Sequence, residues 1–305
     1  MNKTIANIQV SVHDRLLNIS RETNAPYNEI LQYYGIERFL YRLSKTKYIN
    51  LFILKGGLTF YCLSIPSRRP TKDIDFRGFV SNDPEKLLQI IKEICQTDVA
   101  NDGVEFDANS ISVQETQIDA DYTGMRIKLT AYLGKSIIPM QIDIGFSDVI
   151  TPEIVELNYP VLLSTFSVPK VMAYPFETIV SEKFHAIIKI GELNTRAKDF
   201  YDIWLLSEVM NFDSLILEDA INKTFTKRKT KIPQERPYVL SREYGALSQK
   251  MWANFLKKSF DKKLTESSDF VFIVERIWSF LQFPVSIYFT KEKAKKTWIP
   301  GKGWV

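Results

Sequence analysis

The sequence is poor in the residues that build most metal and redox centres. Its 305 residues include two cysteines, Cys62 and Cys95, and two histidines, His13 and His185. Both cysteines fall inside apolar helical patterns, where a free thiol behaves as a small hydrophobe, and this argues against a disulfide framework. Two histidines argue equally against a histidine-rich zinc site. The opening stretch MNKTIANIQVSVHDRLLNIS alternates polar and apolar residues without a compact apolar centre, so no signal peptide is read there. No apolar run is read as long enough to span a bilayer, which sets the expectation of a cytoplasmic protein without a membrane partner. Internal repeats and low-complexity tracts are missing as well.

What is present is an ordinary globular composition, 45% hydrophobic and 25% charged, on a chain long enough for two lobes. The net charge of +4 is mild, so a nucleic-acid partner must be sought in local basic clusters. In NEILQYYGIERFLYRLS, Ile30, Leu31, Tyr34, Phe39, Leu40 and Leu43 follow a helix face. LFILKGG reads as a short buried strand entering Gly56 and Gly57, and LTFYCLSI as a brief helix stopped by Pro66. RRPTKDIDFRGFV then reads as a loop entering a strand. NDPEKLLQIIKEICQ is an amphipathic helix with Asn82 or Asp83 as its cap and Pro84 just inside. NSISVQETQ, MRIKLTAYLG and PMQIDIGFSD read as strands, the last two forming a hairpin around GKS. In the last, Gln141 and Asp143 share a polar face opposite Met140, Ile142 and Ile144. From about residue 166 the chain reads as helical, through stretches such as FETIVSEKFHAIIKI and YGALSQKMWANFLKKSF, with proline-bearing connectors at Pro152, Pro160, Pro169 and Pro175. The expectation is an α+β fold: residues 1–165 carry N-terminal helices and a mixed sheet, residues 166–305 form a helical lobe, and the site lies between them.

Chemistry concentrates around residues 52–76. Asp73 and Asp75 are separated by Ile74, so in a strand both carboxylates project to one face while Ile74 packs inward. Magnesium uses one or two carboxylates plus substrate phosphates, and a third carboxylate from a neighbouring strand, for which Asp143 is the candidate, would complete such a site. Gly56 and Gly57 before a helix let backbone approach a phosphate. A lone D-x-D is usually a solvated strand end, and Gly-Gly alone is usually a turn. The order strand, Gly-Gly, helix, D-x-D strand, later strand aspartate is far more specific.

LKGGLTFYCLSIPSRRPTKDIDF resembles the first motif of AbiEii/AbiGii toxin-type nucleotidyltransferases, members of the DNA polymerase beta-like superfamily. YPFETIVSEKFHAIIK and TRAKDFYDIWLL resemble that family's later E-K and R-x-K-D-x-x-D helices, so the likeness spans residues 50–210. The resemblance implies magnesium or manganese held by Asp73 and Asp75, with Asp143 as third acidic residue. Lys183 would contact the triphosphate, and Asp199, or Asp202 one turn later, would be the last acidic position. Thr71 stands where many relatives have serine, two residues before the first metal aspartate. His185 reads as a helix-face residue. The implied reaction moves NMP from an NTP to an acceptor hydroxyl, with tRNA as acceptor and an antitoxin as partner.

Two basic segments suit RNA. NKTFTKRKTKIPQERP carries Lys223, Lys227, Arg228, Lys229 and Lys231, and TKEKAKKTWIPGKGW interleaves lysines with Trp298 and Trp304. Modification of a protein or small molecule, a non-catalytic binding module on the same fold, and a nuclease using the same carboxylates remain open as alternatives.

Overall fold

The computed structural model describes residues 2–63, 70–119, 122–258, 268–290 and 294–305. Pro66, Arg68 and Arg69 of the expected loop, the end of the helix read at 244–260, and Lys291 and Lys293 of the tail lie outside the described residues. Two compact units form. One holds the described residues of Met1–Pro66 with Pro70–Ser147 and Val155–Ala173; the other holds Asp148–Ile154 and Tyr174–Val305. Residues 170–173 belong with the first unit because they form a strand of its sheet.

The first unit runs α1 (Asn2–Thr23), α2 (Tyr27–Ser44), β1 (Phe52–Lys55), a 3-10 helix at Gly56–Leu63, β2 (Ile74–Gly78), α3 (Pro84–Cys95), β3 (Val104–Asp119), β4 (Tyr122–Leu133), β5 (Ser136–Gly145), β6 (Val155–Asn158) and β7 (Lys170–Ala173). The strands order as β3-β4-β5-β2-β1-β7-β6, with β2 parallel to β5, β1 parallel to β7 and the other pairs antiparallel. Period-two patterning decides which face is dry. Met125, Ile127 and Leu129 are buried, whereas Arg126, Lys128 and Thr130 stay at least partly wet. Asp83 caps α3, its Oδ1 accepting from Glu85 N at 2.9 Å and Lys86 N at 3.2 Å, and Leu87, Ile91 and Ile94 go into the core. Helix α2 comes close to the sheet at Gly35, where an added Cβ would stand 2.8 Å from Ile138 Cγ2. It also carries charge inward. Arg42 pairs with Asp102 at 2.8 Å, and the Glu37 carboxylate, beside Arg38, accepts the Leu162 N–H at 2.6 Å. Burial pushes Glu37 up to about 7, against the opposing pull of Arg38. The two thiols are free, and burial pushes both up to about 12, as suits inert packing groups.

The second unit runs α4 (Phe176–Ile190), α5 (Ala197–Val209), β8 (Phe212–Asp213), α6 (Ser214–Lys227), α7 (Arg242–Leu247), α8 (Gln249–Lys258), α9 (Phe270–Thr290), β9 (Thr297–Ile299) and β10 (Gly303–Trp304). Helix α9 corrects the expectation that nothing here is long and apolar enough to cross a bilayer. It has 21 residues and a window of mean hydropathy 1.4. Half of that window is buried, with Phe270, Ile273, Val274, Ile277, Phe280 and Leu281 fully withdrawn from water among α5, α6 and α7, so α9 serves as the core helix of its unit.

A proline inside α9 accounts for the end of the chain. Pro284 has no N–H, so the carbonyl four residues earlier, on Phe280, loses its helical donor. Trp304 Nε1 donates to that carbonyl at 2.9 Å, and its ring stacks on Phe280. Trp298 is fully buried and donates to Ser207 O at 2.7 Å. Both tryptophans, expected to stack on RNA bases, are therefore occupied inside the fold. The described lysines beside them, Lys295, Lys296 and Lys302, are exposed and lie just before β9 and in the turn to β10.

Candidate active site

The strand pairing builds one row of charged residues across four strands. Lys55 of β1 stands opposite Asp75 of β2, Asp75 opposite Asp143 of β5, and Asp143 opposite Arg126 of β4. Register partners share a face, so two carboxylates are flanked by two cations. Asp73 precedes β2 and is exposed, Ile74 is fully buried, and Asp75 is half-buried, which is the alternation expected for D-x-D. In the sequence Arg126 lies in the stretch read as a strand, MRIKLTAYLG, and Lys55 in LFILKGG. Neither was recognised as a neighbour of the aspartates, since that needs the non-consecutive pairing of β2 with β5.

Gly56 is glycine for two physical reasons. Its φ of +71° lies in the left-handed region, and a Cβ there would stand 2.5 Å from Asp75 Oδ2. Backbone and carboxylate thus touch at the point where the strand turns into the 3-10 helix. Thr59 Oγ1 donates to Gly56 O at 2.7 Å and fixes that turn. Gly57 is buried behind it, and Thr71 is half-buried two residues before Asp73.

Asp143 is fully engaged. Arg126 donates side-on, Nε to Oδ1 at 2.8 Å and Nη2 to Oδ2 at 2.9 Å, and Gln141 Nε2 donates to Oδ2 at 3.2 Å. Among the described residues no three carboxylate, histidine or cysteine side chains form a metal cage. Magnesium or manganese needs no such cage when it arrives with phosphate oxygens and water, and Asp73 and Asp75 are the two carboxylates of the D-x-D strand that could meet it. The donor set fits an ion brought by a nucleotide.

In the helical unit the motif charges pair with one another. Lys183 Nζ lies 2.6 Å from Asp202 Oδ2 and 3.2 Å from Asp199 Oδ1, and Arg196 Nε approaches Asp199 Oδ2 at 2.9 Å. The spacing of Asp199 and Asp202 on one turn of α5 presents both to the lysine of α4. His185 is buried and hydrogen bonded to Thr230 at 2.9 Å, a packing role. Arg228, expected on the RNA surface, turns inward to Asp148 at 2.8 Å and Glu182 at 3.0 Å and is withdrawn from it. Lys223, Lys227, Lys229 and Lys231 remain exposed, with Lys223 paired to Asp219 one turn away.

A glycine turn seated against the second aspartate of a D-x-D strand, with a third aspartate in register, has the donors of a site for phosphate-group transfer. The chain matches the family described as "Nucleotidyl transferase AbiEii toxin, Type IV TA system" over residues 38–276. The protein belongs to this family of nucleotidyltransferase toxins, and its mixed sheet with a helical unit is the α+β architecture expected from the sequence. Two solved structures are similar. A chain from H. pylori, provisionally titled a nucleotidyltransferase, shares 16% identity with a TM-score of 0.47, covering 87% of this chain and 97% of that one. JHP933 from Helicobacter pylori shares 15% identity with a TM-score of 0.45, covering 86% and 92%. No curated protein matches.

Proposed function

We propose that the protein transfers NMP from an NTP to the 3' hydroxyl of tRNA, acting in the cytoplasm as the toxin partner of a cognate antitoxin and in phage defence. The observation that supports this most is the shared register of Asp75 and Asp143, with Asp73 on the same face and Gly56 against Asp75. In the proposed reaction the acceptor oxygen bonds to the α-phosphorus, the bond from that phosphorus to pyrophosphate breaks, and the hydroxyl proton is released. Magnesium or manganese, when bound, neutralises charge on the reacting phosphate. Asp73 and Asp75 would hold it. The Gly56–Gly57 backbone would lie along the phosphates, with the Thr71 hydroxyl as a further donor. Lys183 would meet the triphosphate as a point charge fixed by Asp199 and Asp202. Lys223, Lys227, Lys229 and Lys231 would neutralise RNA phosphates.

The test is incubation of the protein with total tRNA, magnesium and each labelled NTP in turn, beside an Asp73→Ala/Asp75→Ala variant. Label on tRNA with wild type alone is the expected result. Label on protein instead would move the acceptor to a protein hydroxyl, and no label anywhere would overturn transfer.

A further inference from the structure

Asp143 was expected as a third metal carboxylate, but its surroundings assign it different work. We propose that Asp143 is a positioning residue that holds Arg126, and that Arg126 Nη1 binds a phosphate oxygen of a substrate; this rests on the nucleotidyl-transfer reading. Three observations carry it. First, the side-on pair uses Arg126 Nε and Nη2 together with both carboxylate oxygens, and Gln141 adds a third donor, so a metal could enter only by breaking charge-assisted bonds. Second, that geometry turns Nη1 away from Asp143, and among the described residues Nη1 makes no hydrogen bond; the arginine side chain is 36% exposed over a carboxylate only 17% exposed. Third, Asp143's hydrogen bonds, and the charges of Asp143, Asp73 and Asp75, hold the guanidinium above its ordinary pKa against the cost of burial. The arginine therefore stands in the field of the carboxylates that would bring a phosphate to the site. A guanidinium anchored on one edge and open on the other is preorganised for a phosphate oxygen in a way that a mobile lysine is not.

The phosphate belongs either to the NTP or to the acceptor strand, and steady-state kinetics separates them. Arg126→Gln and Asp143→Ala should each raise KM for one substrate about tenfold or more, the worth of a charged hydrogen bond, with kcat changed little. The double variant should be no worse than either single one, because the two residues act as a unit. Arg126→Lys should recover part of the loss, and Asp143→Asn, which keeps one acceptor, should fall between wild type and Asp143→Ala. The separate readout is Mn2+ uptake in the presence of ATP, followed by electron paramagnetic resonance, together with calorimetric binding of ATP and tRNA. Asp143→Ala should take up Mn2+ like wild type, while Asp73→Ala/Asp75→Ala should not. Loss of Mn2+ in Asp143→Ala, or unchanged binding of both ATP and tRNA in Arg126→Gln, overturns the proposal. A wild type that binds both but labels no acceptor sinks the transfer reading, while the binding comparison still decides this one.

Discussion

Charge is handled in opposite ways on the β2 face of the sheet and between α4 and α5. On the sheet, Asp73 is exposed and Asp75 half-buried, and the cations beside them are cross-strand neighbours. In the helical unit Lys183, Asp199 and Asp202 have side chains only 11%, 2% and 1% exposed, and their charges close on one another. A carboxylate near water can exchange one counter-ion for another. A carboxylate withdrawn from water depends on its partner for the fold to stand.

The strongest test removes the wet carboxylates. Asp73→Ala/Asp75→Ala should lower nucleotidyl transfer by about a thousandfold or more while leaving the melting temperature within about 3 °C, measured by label incorporation and calorimetry. Lys183→Ala should lower stability as well as nucleotide binding, costing about 3 kcal/mol by stranding two buried carboxylates, seen as a lower urea midpoint. A midpoint equal to wild type would erase the contrast between the two places. Gly56→Ala should cost about 1–2 kcal/mol for its left-handed backbone and also displace Asp75, so activity falls beyond what stability explains. Gly134→Ala provides the control, since its φ is +59° but the nearest atom to an added Cβ is 3.8 Å away. It should show the strain without the activity loss.

The smallest effect concerns pH. Glu37 titrates near 7 in the folded unit, well above its unfolded value, so the folded state holds the extra proton between the two. Its contribution is fully present below the unfolded value, near 4.3, and is lost as pH rises through about 7. Urea midpoints should fall from pH 6 to pH 8 by the equivalent of about 1 kcal/mol, and Glu37→Gln should flatten that drop.

What the sequence disclosed followed from local periodicity. The alternation around Ile74 and Ile142 placed Asp75 and Asp143 on polar faces, and the α3 cap and stripe were explicit in the letters. Arg126 and Lys55 were hidden because their place in the charged row depends on which strands pair, information that no single segment holds. Arg228 and the tryptophans misled because a basic stretch looks solvated until a buried acid or a freed carbonyl claims one of its members. Helix α9 escaped a count of consecutive apolar residues because Glu275 and Arg276 interrupt it. In the fold both find partners, Glu275 in Arg236 at 2.6 Å and Arg276 in Glu208 at 2.5 Å.

The proline in α9 also bears on the order in which the protein can be made. A ribosome delivers α9 before it delivers Trp304, so the Phe280 carbonyl has no indole donor while the helix is new. The sheet unit has all of its strands once residue 173 has emerged and can fold during synthesis. The helical unit gains the Trp298 and Trp304 contacts only when residues 298–304 have been made.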